Sequence, residues 1–339
     1  MIAPPGQTRA MPVTEATQAG EARRAAVALA SDNGFSESAA SNLAIVVTEL
    51  ATNLVRHGGG GEILLTASDE AADAALDILA VDKGRGMQDV DRCLADGFST
   101  NGTPGGGLGA VRRLSHEFDL HSEPGKGTVV FARLYGNGRG NGKRLQYAGV
   151  RLPLGGESEC GDAWSVIAEN GRAAFLVADG LGHGPLAATA SRAAVRVFRG
   201  GAERNPADLL QGIHLALRST RGAAAGVARV DVDSGEVRFC GVGNTSFVLA
   251  GIGPQQQMVS HNGTLGHQAT RFQEFTYRWK NGAVLVMHSD GLSTSWDATR
   301  YPGLFSRHPG VIAGILYRDF RRTRDDVTVL AARFATGHA

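Results

Sequence analysis

Aspartate recurs along the second half of this chain where an apolar run meets glycine. The stretch L-V-A-D-G-L-G-H-G-P-L-A (176–187) presents Asp179, M-H-S-D-G-L-S-T presents Asp290, G-D-A-W presents Asp162, and R-D-D-V-T-V-L presents Asp325 and Asp326. A strand holds a carboxylate rigidly, and the following glycines keep side chains away from it. Such a place suits a metal ion or a phosphate, whereas one D-G pair alone reads as a tight turn. Mg²⁺ and Mn²⁺ take carboxylate and carbonyl oxygens and retain water. Four carboxylates from separate strands can converge on two ions, and two ions about 3.5–4 Å apart are a standard device for activating water against a phosphate. The plain alternative is that each aspartate opens a turn. Two D-G-L motifs, each after a V/L-rich run, together with G-D and D-D-V-T, weigh against it as a set. His183 follows two glycines; contact with a substrate phosphate and turn filling are equally open readings.

The first half holds a different set. Glu49 and Asn53 are four residues apart on a helical pattern and share one face. D-K-G-R-G (82–86) ends a strand pattern, and G-G-G-L-G (105–109) precedes a helix pattern. Taken singly, the first is a solvated helix face and the second a turn. The third exposes backbone N–H groups at a helix start, which makes an anion site. His57 ends the Glu49 helix, where a histidine favours the C-terminal dipole.

Elements must carry these residues. The sequence predicts helices over about 15–30 and over the stripe 43, 46, 47, 50 and 54, the latter ended by Gly58 to Gly61. It predicts strands at 62–68, 75–82 and 127–134 and a helix over 108–118. This is a pattern of helices on one face of a mixed sheet. In the second half, 165–169 and 173–179 read as a hairpin through N-G. Helices follow over 185–199, with Pro185 in the first turn, and 208–217. Strands at 224–231, 236–242, 246–250 and 283–290, a helix near 311–321 and a strand at 326–334 complete an α/β sandwich. The polar Y-G-N-G-R-G-N-G-K-R-L (135–145) reads as a linker.

The 339 residues suffice for two full cores. A net charge of +1 without a basic block points away from nucleic acid. Three scattered cysteines form neither a disulfide framework nor a zinc pattern and fit a reducing cytosol. No signal-like h-region and no apolar run near the ~18 residues of a membrane span are read, so a cytoplasmic protein off the membrane is expected. The 47 glycines are clustered rather than periodic.

The order E-x-x-x-N helix, D-x-G-x-G strand end, glycine lid and helix, followed by R-L-S-H-E-F-D-L-H-S-E-P-G-K-G-T (113–128), resembles the GHKL ATPase superfamily. Within it, the likeness is to small serine kinases of the RsbT and anti-sigma-factor type, over about residues 10–134. The resemblance implies that Asn53 holds Mg²⁺ against the ATP phosphates and that Asp82 accepts the adenine amino group. It implies that Gly84 and Gly86 admit the base, and that Gly105, Gly107 and Gly109 form the phosphate lid. Glu49 would orient or deprotonate the attacking hydroxyl. Phosphoryl transfer needs this kind of positioning and charge compensation.

The aspartate set, with R-G-A-A-A-G-V-A-R-V (221–230) and G-V-G-N-T-S (241–246), resembles the SpoIIE-like branch of the metal-dependent (PPM) protein phosphatases, of the short RsbX type, over about 146–335. The resemblance implies an αββα sandwich with two Mn²⁺ or Mg²⁺. Asp179 would bridge both ions, Gly180 would offer its carbonyl, Asp162 would lie near the second ion, and Asp290 and Asp325 would hold the first. Asp326 is a neighbour. Together the halves imply a cytoplasmic partner-switching regulator. It would phosphorylate a serine or threonine of a STAS-domain protein and remove that phosphate, within a larger stress-signalling assembly. The alternative is a phosphatase whose first half only binds ATP or a partner.

Overall fold

A computed structural model describes residues 6–68, 74–94, 107–136, 145–169, 171–201 and 203–334. The chain divides into two compact units. One comprises Met1–Gly142 with Gly310–Arg318, and the other Lys143–Pro309 with Asp319–Ala339. The expected linker lies mostly, at 137–144, outside the described residues.

The first unit begins with β1 (Thr8–Val13), α1 (Ala16–Asp32) and α2 (Glu37–Asn53). Asn33 and Gly34, the latter at φ +71°, end α1. Ser36 Oγ caps α2 by accepting the Ala39 N–H at 3.3 Å. α2 continues through one π-helical turn, Leu54–Gly58, and stops at Gly59 in the left-handed region. Then come β2 (Gly61–Ala67), β3 (Ala75–Val81), the short α3 (Val90–Leu94), α4 (Gly107–Leu114), β4 (Glu117–Glu123) and β5 (Gly127–Tyr135).

The sheet order is β1-β2-β3-β5-β4, and every ladder is antiparallel. This corrects the mixed sheet expected from the sequence. Two helices, α1 and α2, lie between β1 and β2, so the chain crosses the sheet an even number of times and returns reversed. The short connections β2–β3 and β4–β5 reverse it directly. Alternate strand residues Ile63, Leu65, Ile78, Ala80, Val130 and Ala132 form one core with the α1, α2 and α4 stripes. α2 with its π turn, Glu37–Gly58, is long and apolar enough by composition to cross a membrane. Its stripe Leu43, Val46, Val47, Leu50 and Ala51 is spent in this core instead. Within the same unit, the Tyr317 hydroxyl donates to Glu62 Oε2 at 3.0 Å, and Arg318 Nη1 donates to the Asp82 carbonyl at 3.2 Å.

The helix expected over 108–118 is also corrected. It closes at Leu114 because the His116 N–H turns to the Arg133 carbonyl of β5, after which E-F-D-L-H-S-E pairs as β4.

The second unit starts with β6 (Leu145–Leu152), β7 (Asp162–Glu169), β8 (Arg172–Gly180), α5 (Pro185–Arg199) and α6 (Pro206–Ala216). It continues through β9 (Ala223–Asp231), β10 (Glu236–Val242), β11 (Ser246–Ala250), β12 (Gln256–Gln257), β13 (Phe275–Arg278) and β14 (Val284–His288). α7 (Pro309–Phe320), mostly grouped with the first unit, precedes the final strand β15 (Val327–Phe334). Two antiparallel sheets, β13-β10-β9-β8-β7 and β12-β11-β14-β15-β6, enclose a core that includes Phe175, Phe239, Phe247 and Leu330. α5 and α6 cover the first sheet through Ala190, Ala194, Phe198, Leu210 and Ile213. The architecture is thus two-domain α+β, with a helix-covered ATPase-like sheet and a sandwich.

Candidate functional site

In the first unit a cavity of about 760 Å³ opens between α2, β3 and the start of α4. Glu49, Asn53, Asp82, Gly86 and Gly107 all line it. Asp82 ends β3, where its Oδ1 accepts the backbone N–H groups of Gly84 at 2.8 Å and Thr128 at 3.1 Å. Oδ2 carries no hydrogen bond from the described residues. One oxygen therefore orients the carboxylate and the other can accept an N–H from a bound base. Burial raises the Asp82 pKa, and the two N–H donors oppose that rise.

Gly84 does not line the cavity; it builds the wall behind it. A Cβ there would sit 2.6 Å from the Gly58 carbonyl oxygen. At Gly86, φ is +68° and a Cβ would meet the Glu123 carbonyl oxygen at 2.1 Å. Gly109 is buried within α4, away from the cavity, and Gly105 lies outside the described residues. Gly107 and Leu108 bring the first turn of α4 to the cavity, where free N–H groups favour an anion.

Residues not singled out in the sequence also line this space, including Arg56, Arg85, Arg92 and Thr128. Arg85 stands inside D-K-G-R-G, so its position was readable there. His57 faces the cavity too; Arg85 Nη2 donates to its Nδ1 at 3.4 Å. Burial, then Arg85 and Arg56, lower the His57 pKa and keep the ring neutral.

In the second unit the aspartates meet at the strand ends. Asp162 opens β7 directly opposite Asp179 near the end of β8. Asp290 follows β14, and Asp325 and Asp326 precede β15. Asp179 accepts the Asp290 backbone N–H, which brings these two residues together. Burial, followed by Asp162, Asp290 and Asp325, drives the Asp179 pKa well up. Burial raises Asp290 as well, with Asp325 adding to it and Arg322 opposing.

Asp162 is engaged from below. It is buried and accepts the Ser289 hydroxyl at 2.6 Å. Burial foremost, then Asp326 and Asp325, push it up to about 7 against that hydrogen bond. Asp326 is a structural latch, accepting the N–H groups of Leu154 at 2.7 Å and Gly161 at 2.8 Å. Asp325 Oδ1 accepts the Asp326 N–H at 2.9 Å. Gly180 donates its N–H to the Gly161 carbonyl, and a Cβ there would collide with the Ala187 carbonyl oxygen at 2.3 Å.

Asn244, from G-V-G-N-T-S, donates to Asp290 Oδ2 at 2.7 Å. Arg322 Nη1 donates to the Asp290 carbonyl at 3.0 Å. Neither was assigned a role from the sequence, and both contacts are remote in the chain. His183 Nδ1 contacts Glu157 Oε1 at 2.7 Å on the exposed rim.

Crowded carboxylates with raised proton affinity are what a divalent cation relieves. Among the described residues, no group of three or more His, Cys, Asp or Glu side chains converges closely enough to hold an ion unaided. One or two carboxylates with retained waters are the usual Mg²⁺ environment, and the neighbouring Asp179 and Asp290 match it. The residues present therefore fit hard divalent ions.

The histidine kinase-like ATPase family matches residues 12–133. Serine/threonine-protein kinase RsbT of Bacillus subtilis (strain 168) is 36% identical over 104 residues, covering 31% of this chain and 78% of RsbT. Over its first half, the chain belongs to the RsbT-type histidine kinase-like ATPases. The stage II sporulation protein E family matches residues 169–335, a stretch that begins after Asp162. Phosphoserine phosphatase RsbX of the same organism is 27% identical over 152 residues, covering 44% of this chain and 76% of RsbX. The structure of RsbX with magnesium shares the fold, with a TM-score of 0.51 and 23% identity over 58% of this chain and 98% of that one. An RsbT-like domain is joined here to a second half that is similar to RsbX and matches the stage II sporulation protein E family.

Proposed function

We propose that the chain is a bifunctional partner-switching regulator, with residues 10–134 as a serine/threonine kinase and 146–335 as an αββα phosphoprotein phosphatase joined through 135–145. The observation that supports this reading is that Glu49 shares a cavity with Asn53 and Asp82, while Asp162 and Asp179 pair across β7 and β8 and Asp179 accepts the Asp290 N–H.

In the kinase half, Asp82 Oδ2 accepts the adenine amino group. The α4 start at Gly107 covers the phosphates, and Asn53 would hold Mg²⁺ against them. Glu49 takes the proton of the partner's hydroxyl as that oxygen bonds to the γ-phosphorus and the bond to ADP breaks. In the phosphatase half, Mn²⁺ or Mg²⁺ would activate the attacking water. Asp179, the Gly180 carbonyl, Asp290 and Asp325 would hold these ions, and Asp162 would lie beside the second. RsbX with magnesium supports that choice. Water oxygen bonds to phosphorus, the serine oxygen leaves, and the leaving oxygen is protonated. The substrate we assign is a STAS-domain switch protein in a cytoplasmic stress-signalling assembly.

The deciding experiment uses Asp290→Asn, so that added phosphate stays on. Mixed with a STAS-domain protein, ATP and Mg²⁺, the variant should raise the partner's mass by one phosphoryl group. Wild-type chain with Mn²⁺ should then remove it. ATP binding without any transfer to several such partners would leave the first half a nucleotide-dependent docking domain.

A further inference from the structure

The loop that follows Asp179 faces an arginine that the reaction described above does not use. Asp179 and Gly180 pair with Ala224 and Ala223 of β9, so the residues just before β9 lie beside the residues just after β8. The Leu181 N–H donates to the Gly222 carbonyl at 3.0 Å and locks that juxtaposition. Arg221 is next in line. Its Nη1 lies 3.0 Å from the point where a Cβ on Gly182 would stand, and Gly182 has φ +84°. The loop thus has glycine where a side chain would crowd the guanidinium.

Three other cations have partners. His183 contacts Glu157, Arg192 pairs with Glu159, and Arg322 donates to the Asp290 carbonyl. Arg221 is exposed and makes no hydrogen bond or ion pair with the described residues. A free guanidinium is a planar, permanently charged, bidentate donor matched to phosphate oxygens.

We propose that Arg221 binds the phosphate of the substrate across Gly182 and so determines affinity for phosphorylated ligands at the Asp179 centre. The proposal rests on the phosphatase reading. Two phosphate oxygens accept from the guanidinium, whose charge compensates at the rim for site carboxylates that repel a dianion. No bond to phosphorus forms or breaks at Arg221. It holds the group in place while water attacks.

The test uses the full chain with Mn²⁺ and p-nitrophenyl phosphate, comparing wild type, Arg221→Ala and Arg221→Lys. Loss of a charge-assisted bidentate contact should raise KM and the inhibition constant of inorganic phosphate together by about tenfold or more. The kcat should fall less, and Arg221→Lys should recover part of the loss. Mn²⁺ affinity, read by calorimetry without substrate, should stay unchanged, as should the melting temperature of an exposed-site variant. An unchanged phosphate inhibition constant in Arg221→Ala, with wild type active, overturns the proposal and leaves the phosphatase reading standing. A change confined to Mn²⁺ affinity overturns it as well. Wild type unable to hydrolyse any phosphate ester with Mn²⁺ defeats both.

Discussion

Asn244 shows how much a carboxylate cluster depends on a residue distant in the chain. Its amide fixes one oxygen of Asp290 and leaves the other to turn inward. Outer partners of this kind typically govern 10–100-fold of metal affinity, so Asn244→Ala should shift the Mn²⁺ activation curve by roughly that factor. ATP binding to the same variant should be unaffected, as a fluorescent nucleotide titration would reveal. Asp82 carries an opposite tension between stability and use. Burial raises its pKa in the fold, so its ionised form costs stability as pH rises above the ordinary carboxylate value. Asp82→Asn should therefore melt at the same temperature or higher at pH 7 without ligand, yet bind ATP more weakly. For wild type, ATP affinity should begin to fall on acidification at a higher pH than a solvent-exposed aspartate would dictate. An affinity flat down to the pH of an ordinary carboxylate would contradict the role given to Asp82.

Among the elements, β3, β5 and β4 are clamped by one guanidinium. Arg133 on β5 bonds Asp77 of β3 at 2.5 and 2.7 Å and Glu117 of β4 at 3.4 Å, and the register sets all three side by side. Asp77→Ala removes the closer carboxylate of a largely buried guanidinium, leaving Glu117, and should cost about 3 kcal/mol in urea unfolding of the chain. The double variant Asp77→Ala, Arg133→Met should recover much of that loss; no recovery would mean that the strands need the pair for something other than charge. Elements with a strong local pattern were legible in the sequence. The spans of α5, β10 and β11 agree with the sequence reading because Pro185 marks the helix start and turn residues bound the strands. β1 was not legible: T-R-A-M-P-V lacks clean alternation and contains Pro12, tolerated because β1 is an edge strand. The first two residues of β4, Glu117 and Phe118, fell inside the helix expected over 108–118, because their local pattern suits either element and only pairing with β5 decides. The same limit applies to the sites. Each aspartate was visible at its own strand end, but Ser289 beneath Asp162 comes from 127 residues away, and Arg221 reaches Gly182 only through the β8–β9 register.

For the molecule as a whole, the proposed fusion of two opposed activities would have a kinetic meaning. Both rates rise in proportion to the amount of chain, so below saturation the phosphorylated fraction of the partner depends on their ratio and not on how much protein is made. A tenfold dilution of the chain at fixed ATP should slow the approach to steady state about tenfold and leave the final fraction unchanged, as intact-mass time courses would show. A final fraction that tracks chain concentration would indicate that one of the two activities resides elsewhere. The walls behind Asp82 carry a different message. Gly84 abuts Gly58 main chain to main chain, and Gly86 abuts the carbonyl of Glu123. Such a wall offers natural selection no side chain to exchange. By contrast, the loop after Asp179 carries exposed side chains, Leu181, His183 and Leu186, each replaceable by a single codon change. Over generations the two halves would drift unequally: the choice of partner is free to wander, while the choice of nucleotide stays inherited.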